Sequence, residues 1–400
     1  MRHILIVLIC YSGFVFGQDY TLFQKTFSDL TQASKITDPI QQKEALDKSW
    51  NELKKSKRIP LVVNDSVLFF YRGDGNKVQW TGDFNGWGYD KKFNSTGENF
   101  TGSDIWYLKS SFPKNARLDY KIIINDNEWL IDPDNDQQQW SGVGVNSELR
   151  MPGWIEDEAL TPHENTPHGK LESDLLLKSK TLGYQITYSV YLPANVNQLG
   201  KLPVVYVTDG YEYIHPKMGN MITVLDNLIA SKKIKPIIAV FIDHREPINR
   251  SNNKRMEELA MNGRYLQFFT DEFIPKIETS YPAQPDAASR AILGTSMGGL
   301  NAAYFVFAKP DFFSMAGIQS PAFYTRPQIY SLCNNPNNTK VKISMTSGVF
   351  NDTSEGGQKM KGILEANSCV YTYREVNEGH SWGNWRNLTD DILIDLFGNQ

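Results

Sequence analysis

The 400-residue chain is poor in the residues that hold metals and staple small folds: it has three cysteines and six histidines. Cys10 sits in an N-terminal apolar run, which leaves Cys333 and Cys369, no close cysteine pair and no clustered Cys/His ligand set. A disulfide scaffold and a zinc ribbon are thereby excluded. The sequence leaves open whether Cys333 and Cys369 bond to each other or stay as buried thiols. No glycine-rich phosphate loop follows a strand, so the chemistry is expected to need neither cofactor nor metal. No excess of one charge is present either. Lys+Arg number 41 and Asp+Glu 45, a net charge of −4, with no basic arm for nucleic acid. Beyond the first residues no stretch is long and apolar enough to anchor in a bilayer. Nothing in the sequence sets an oligomeric state.

What the chain does have begins with Arg2 and His3 ahead of the apolar run Ile4–Cys10, followed by Phe16-Gly17-Gln18. This pattern reads as a secretory signal over residues 1–17, cut after Gly17, and predicts an exported protein, periplasmic or secreted. Ile9 is too large for a lipoprotein signal before Cys10. Residues 18–58 carry a helical pattern, with Pro39 at a first-turn position behind Asp38 and a stripe of Ala45, Leu46, Trp50 and Leu53 expected to pack on the next domain. Residues 59–151 change to short alternating strands separated by turns such as Gly73-Asp74-Gly75-Asn76, which predicts a β-sandwich. Residues 152–169 are rich in proline and acid and read as a linker.

From residue 170 to 400 the periodicity switches again. Continuous apolar runs at Pro203–Val207, Ile237–Ile242, Ala291–Leu293, Val341–Met345 and Val370–Arg374 alternate with amphipathic segments. Strands apolar on both faces belong to a mostly parallel sheet covered by helices on each side, an α/β architecture. Within it, Gly294-Thr295-Ser296-Met297-Gly298-Gly299 follows a strand and opens a helical stretch. That context makes it a nucleophile elbow, with Ser296 pushed out on a strained turn. Serine needs a base. His380 is the one histidine after it, directly behind the last expected strand, in the chain order serine, acid, histidine. The acid belongs in the loop after the Val341–Met345 strand, where Asp352 is preferred and Glu355 is the reserve. Two backbone N–H groups should form an oxyanion hole: Met297, next to the serine, and Tyr211, in the loop Thr208-Asp209-Gly210-Tyr211 after an early strand.

These segments carry a resemblance. The elbow, Glu378-Gly379-His380-Ser381-Trp382 with Trp385-Arg386, Val207-Thr208-Asp209-Gly210, and Glu272–Tyr281 ahead of Arg290 resemble the putative-esterase family of enterochelin, feruloyl, acetylxylan and esterase D-like enzymes. The resemblance spans residues 170–400 and implies an α/β-hydrolase fold with ester hydrolysis through an acyl-enzyme. Gly82-Asp83-Phe84-Asn85-Gly86-Trp87 resembles the early-set immunoglobulin-like modules of glycogen-branching enzymes, some of which bind glucan. Packing is the preferred role for Trp87. Feruloyl or acetyl esters on plant polysaccharide are the expected substrates, with Trp382, Trp385, Tyr211 and Tyr213 as aromatic walls. Arg245 offers a cation to an anionic alternative, a siderophore trilactone. A serine peptidase and a non-catalytic glycan-binding protein on a hydrolase scaffold are the remaining readings.

Overall fold

The computed structural model describes residues 12–334 and 340–399. The run Ile4–Cys10, on which the signal reading rests, lies outside the described residues. The chain divides into two compact units, one reaching to Gln138 plus Val145–Ile155, the other Gln139–Gly144 plus Glu156 onward.

In the first unit the helices Ser12–Ser34 and Pro39–Lys55 come first. Asp38 caps the second, accepting from the main-chain N–H of Ile40 (3.1 Å) and Gln41 (2.9 Å). Its stripe of Leu46, Trp50 and Leu53 is buried against Leu61, Leu68, Phe70, Ile105 and Tyr107 of the strands that follow. Those strands form two antiparallel sheets. The Gly82–Trp87 motif is a locked corner. Asn85 Oδ1 accepts from Gly82 N (2.9 Å) and Gly88 N (3.3 Å), while Asp83 Oδ2 accepts from Asp119 N (2.7 Å). Both side chains are buried, so the motif saves main-chain donors that the turn would otherwise orphan. Trp87 is half-buried and donates its indole N–H to Asp83 Oδ1 at 3.2 Å.

The stretch read as a linker is only partly one. Ala159 and Leu160 are buried in the second unit, packed among residues that include Val224, Leu225 and Leu228. The proline and acid content hid two apolar anchors.

The second unit is built on an eight-stranded sheet. Its strands are β1 (Lys170–Lys178), β2 (Gln185–Leu192), β3 (Val204–Val207), β4 (Ile238–Asp243), β5 (Arg290–Thr295), β6 (Met315–Gln319), β7 (Lys342–Gly348) and β8 (Val370–Val376). The spatial order is β1-β2-β4-β3-β5-β6-β7-β8. β1 and β2 pair antiparallel, β2 runs antiparallel to β4, and all strands from β4 to β8 are parallel. Alternate residues enter different cores: Val204, Tyr206 and Ile292 face one, Val205, Val207 and Leu293 the other. Helices cover both faces. This is the α/β-hydrolase fold, and its loops at the carboxyl ends of β3, β5, β7 and β8 carry the residues singled out above. Cys333 and Cys369 are both buried as thiols, and burial pushes the Cys333 thiol up.

Candidate active site

Ser296 stands between β5 and the helix Met297–Ala308 with φ +59° and ψ −115°. The backbone reaches this strained conformation because Gly294 and Gly298, two residues away on either side, lack side chains. A Cβ on Gly294 would lie 2.4 Å from the carbonyl carbon of Gly298 and from Thr208 Oγ1. The bend is pinned on both sides, Ser296 N donating to Gln319 O and Ala322 N to Ser296 O, each at 2.9 Å.

His380 follows β8 and comes to this bend. Its Nε2 lies 3.0 Å from Ser296 Oγ and its Nδ1 2.6 Å from Asp352 Oδ1. A carboxylate only accepts, so the Nδ1 proton faces Asp352 and the Nε2 lone pair faces the serine hydroxyl. Asp352 is fixed in turn. Its Oδ2 accepts from Gly348 N and from Ser320 Oγ, both at 2.6 Å. Ser320 Oγ accepts from the Trp385 indole at 2.9 Å, and the Trp385 ring stands edge-on to the imidazole, centroids 4.9 Å apart. Asn384 Nδ2 holds the Gly379 carbonyl just before His380 at 2.9 Å. Glu355, the reserve acid, is exposed in the first turn of the helix Ser354–Ala366. Geometry therefore selects Asp352. The chain Asp352–His380–Ser296 can take the serine proton as the oxygen attacks an electrophilic carbon.

Tyr211 and Met297 both lie in first turns, of the helices Gly210–Ile214 and Met297–Ala308, where main-chain N–H groups have no partner within the helix. Gly210 lets its loop close onto β4, since a Cβ there would lie 2.6 Å from Ile242 N. The Tyr211 hydroxyl donates to Glu212 Oε1 at 2.5 Å, and the Arg245 guanidinium stacks 3.4 Å over its ring. Burial raises the Glu212 carboxyl above its ordinary range.

Three expected aromatic walls are corrected by burial. Tyr213 is fully buried, its hydroxyl donating to Gln319 Oε1 at 2.6 Å. Trp382 is buried, edge-on to Tyr213, with its indole N–H on Glu212. Trp385 is buried too, and supports the acid and the imidazole. Their motif signals position on the loop but not which way a side chain turns. Arg245 is held by Asp243 through Nε (2.9 Å) and Nη2 (2.8 Å). Sequence reasoning missed Ser320, which touches the acid from the end of β6; a lone serine after a short Ala/Gly-containing strand gives no signal. Among the described residues no group of three or more His, Cys, Asp or Glu could hold a metal ion.

Comparison with known proteins bears on this site. Residues 179–396 match the family described as Putative esterase. Over 227 residues the chain is 23% identical to the uncharacterized protein YjcH of Bacillus subtilis, covering 54% of this chain and 92% of that one. Over 242 residues it is 28% identical to the endo-1,4-beta-xylanase/feruloyl esterase of Xylanibacter ruminicola, 58% of this chain and 32% of that longer protein. The crystal structure of ferric enterobactin esterase from Salmonella typhimurium is similar with a TM-score of 0.73 at 18% identity, over 86% of this chain and 98% of that one. The enterobactin esterase of Shigella flexneri gives 0.69 at 20% identity, over 83% and 92%. At these identities the structures establish likeness of fold.

Proposed function

The chain belongs to the putative esterase family, and from that premise we propose a serine carboxylic ester hydrolase that works through an acyl-enzyme. His380 Nε2 takes the proton of Ser296 Oγ as that oxygen attacks the ester carbonyl. The tetrahedral oxyanion is held by the N–H groups of Tyr211 and Met297. The alcohol leaves with the proton from His380, and water repeats the steps on the acyl-enzyme. The observation that carries this reading is the unbroken hydrogen-bonded chain from Asp352 through His380 to Ser296. Ser296→Ala is expected to abolish p-nitrophenyl acetate hydrolysis with the fold intact. Unchanged turnover in that variant would refute the assignment.

The proposed substrates are feruloyl or acetyl esters of plant polysaccharide, the activity named for the Xylanibacter relative being in line with this. A cleft of about 330 Å³ beside Tyr211 is lined by Ser173, Ser189, Asp174, Asp243, Arg245 and Arg250 among others. Its two arginines are already matched. Arg250 bonds Asp243 at 2.6 Å and Asp174 at 2.9 Å, and Arg245 bonds Asp243. Balanced charge and serine hydroxyls suit a neutral, hydroxyl-rich alcohol group better than a polyanion. The siderophore trilactone stays as the second reading because Arg245 stacks on Tyr211 next to the proposed oxyanion loop. Methyl ferulate, acetylated xylan and enterobactin assayed side by side separate the two. A non-catalytic glycan-binding protein predicts no fluorophosphonate label on Ser296. Export by the N-terminal run is proposed with these, and N-terminal sequencing of the mature protein tests it: a start at Gln18 supports it, retention of Met1 refutes it.

A further inference from the structure

Arg255 leaves only 25% of its side chain exposed and has no part in the chemistry above. It opens the short helical turn Arg255–Glu258 on the connection between β4 and β5. Its guanidinium forms a fork on Asp209, Nε to Oδ1 at 2.6 Å and Nη2 to Oδ2 at 2.8 Å, and Nη2 also reaches Thr295 O at 3.3 Å. These two acceptors stand at telling places. Asp209 is the left-handed residue (φ +54°) that turns the chain from β3 into Gly210 and Tyr211, and its carbonyl accepts from Glu212 N at 3.0 Å and Tyr213 N at 3.2 Å. Thr295 is the last residue of β5, directly before Ser296 and Met297. One planar cation thus ties the segment bearing one oxyanion donor to the segment bearing the other.

The tie is itself braced. Asn253 Oδ1 accepts from Arg255 N at 2.9 Å. Lys254 N donates to His244 O at 2.9 Å, at the end of β4. The Glu258 carboxylate, one turn on, is held by the buried His244 Nδ1 and by the Tyr184 hydroxyl at 2.6 Å. Burial disfavours the charge on Arg255, but the Asp209 carboxylate outweighs that and raises the guanidinium above its ordinary range. A bidentate guanidinium also fixes angle as well as distance, which an ammonium does not.

We propose that Arg255 is a positioning residue of ester hydrolysis that sets the spacing between the Tyr211 and Met297 N–H groups by clamping Asp209 to the Thr295 carbonyl. This rests on the reading of Ser296 as nucleophile with Tyr211 and Met297 as oxyanion donors. Arg255 touches no reacting atom. Its loss acts through donor geometry, and oxyanion stabilisation is the part of catalysis most sensitive to that geometry.

The experiment uses the full chain and p-nitrophenyl acetate, with a trifluoromethyl ketone as a mimic of the tetrahedral oxyanion. Arg255→Met leaves the Asp209 carboxylate buried and unpaired, so it is paired with the double variant Arg255→Met/Asp209→Asn, in which asparagine tolerates the left-handed backbone. In the double variant kcat is expected to fall about 100-fold, as for loss of one oxyanion donor. KM should change less than threefold, and the ketone Ki should rise in parallel with the loss in kcat. Arg255→Lys should recover part of kcat. A folded double variant with kcat within threefold of the parent overturns the proposal, and so does a fall in kcat with an unchanged ketone Ki. Failure of the underlying reading looks different: Ser296→Ala would then stay active whatever Arg255 does.

Discussion

Replacing Asp352 by asparagine exchanges one oxygen for an NH2 group, and the structure fixes how the new amide must lie. Oδ2 of the carboxylate accepts from two donors, Ser320 Oγ and Gly348 N, each at 2.6 Å. The serine hydroxyl can reverse its role, but a main-chain N–H can only donate. The amide oxygen of the Asp352→Asn variant is therefore held toward Gly348, and its NH2 group faces His380 Nδ1. That forces the imidazole into the tautomer with its proton on Nε2, aimed at Ser296, where a lone pair is needed. The loss expected for such an inverted tautomer is about 10³- to 10⁴-fold in kcat, roughly 4–5.5 kcal/mol of transition-state free energy. KM should stay within a few-fold, because the Asp352 side chain is fully buried, out of reach of a bound substrate. The assay is steady-state hydrolysis of p-nitrophenyl acetate and methyl ferulate, with thermal unfolding as the folding control and Glu355→Gln as the comparison. Near-parental kcat in Asp352→Asn, or a large loss from Glu355→Gln, would refute the reasoning.

Ser320→Ala removes one of the two donors to Asp352 Oδ2 and orphans the Trp385 indole N–H; kcat should fall about tenfold at constant KM, with about 1–2 kcal/mol lost in stability, and an unchanged kcat contradicts the supporting role. Asn85→Ala strips the acceptor from Gly82 N and Gly88 N in a buried corner. A destabilisation of about 2–3 kcal/mol should appear in thermal unfolding, and a melting temperature within a degree of the parent speaks against the locked-corner account. Burial raises Asp132 from its ordinary 3.8 to about 6. The folded state then keeps that proton to higher pH than the unfolded chain, so the stability it brings is full below 3.8 and is lost as pH rises through about 6. Between those values the gap is worth up to about 3 kcal/mol. Asp132→Asn, always neutral, should lose less stability than the parent between about pH 4 and 7 in chemical denaturation; equal losses contradict the assignment.

The parts of this site legible in one dimension are those whose chemistry dictates a local pattern. The elbow needs small residues around Ser296 because atoms crowd there, the Gly298 backbone and the Thr208 side chain against Gly294 and the Thr208 side chain against Gly298, and the two glycines record that crowding in the sequence. Chain order marked His380, and a strand followed by an acidic loop marked the Asp352 region. The choice between Asp352 and Glu355 depended on where the next helix starts: with Ser354 as its first residue, Glu355 is carried to solvent. Tyr213, Trp382 and Trp385 are buried rather than substrate walls, because aromatic content states what a residue can do, not which face it turns to. β6 carries little strand signal, since Met315-Ala316-Gly317-Ile318-Gln319 is short and lacks β-branched residues apart from Ile318. Ala159 and Leu160 were hidden by their acidic and proline-rich neighbours. The partnership of Asp209 with Arg255 joins residues 46 positions apart, and no local pattern announces it.

Everything rests on covalent transfer of an acyl group to one hydroxyl. The most direct test is to quench the enzyme with acid within the first turnover of p-nitrophenyl acetate and to map the added mass by peptide. About one acetyl group per chain on the peptide containing Ser296, absent in Ser296→Ala, is the predicted result. Release of nitrophenol without a covalent acetyl group, or with the group on another residue, would contradict it.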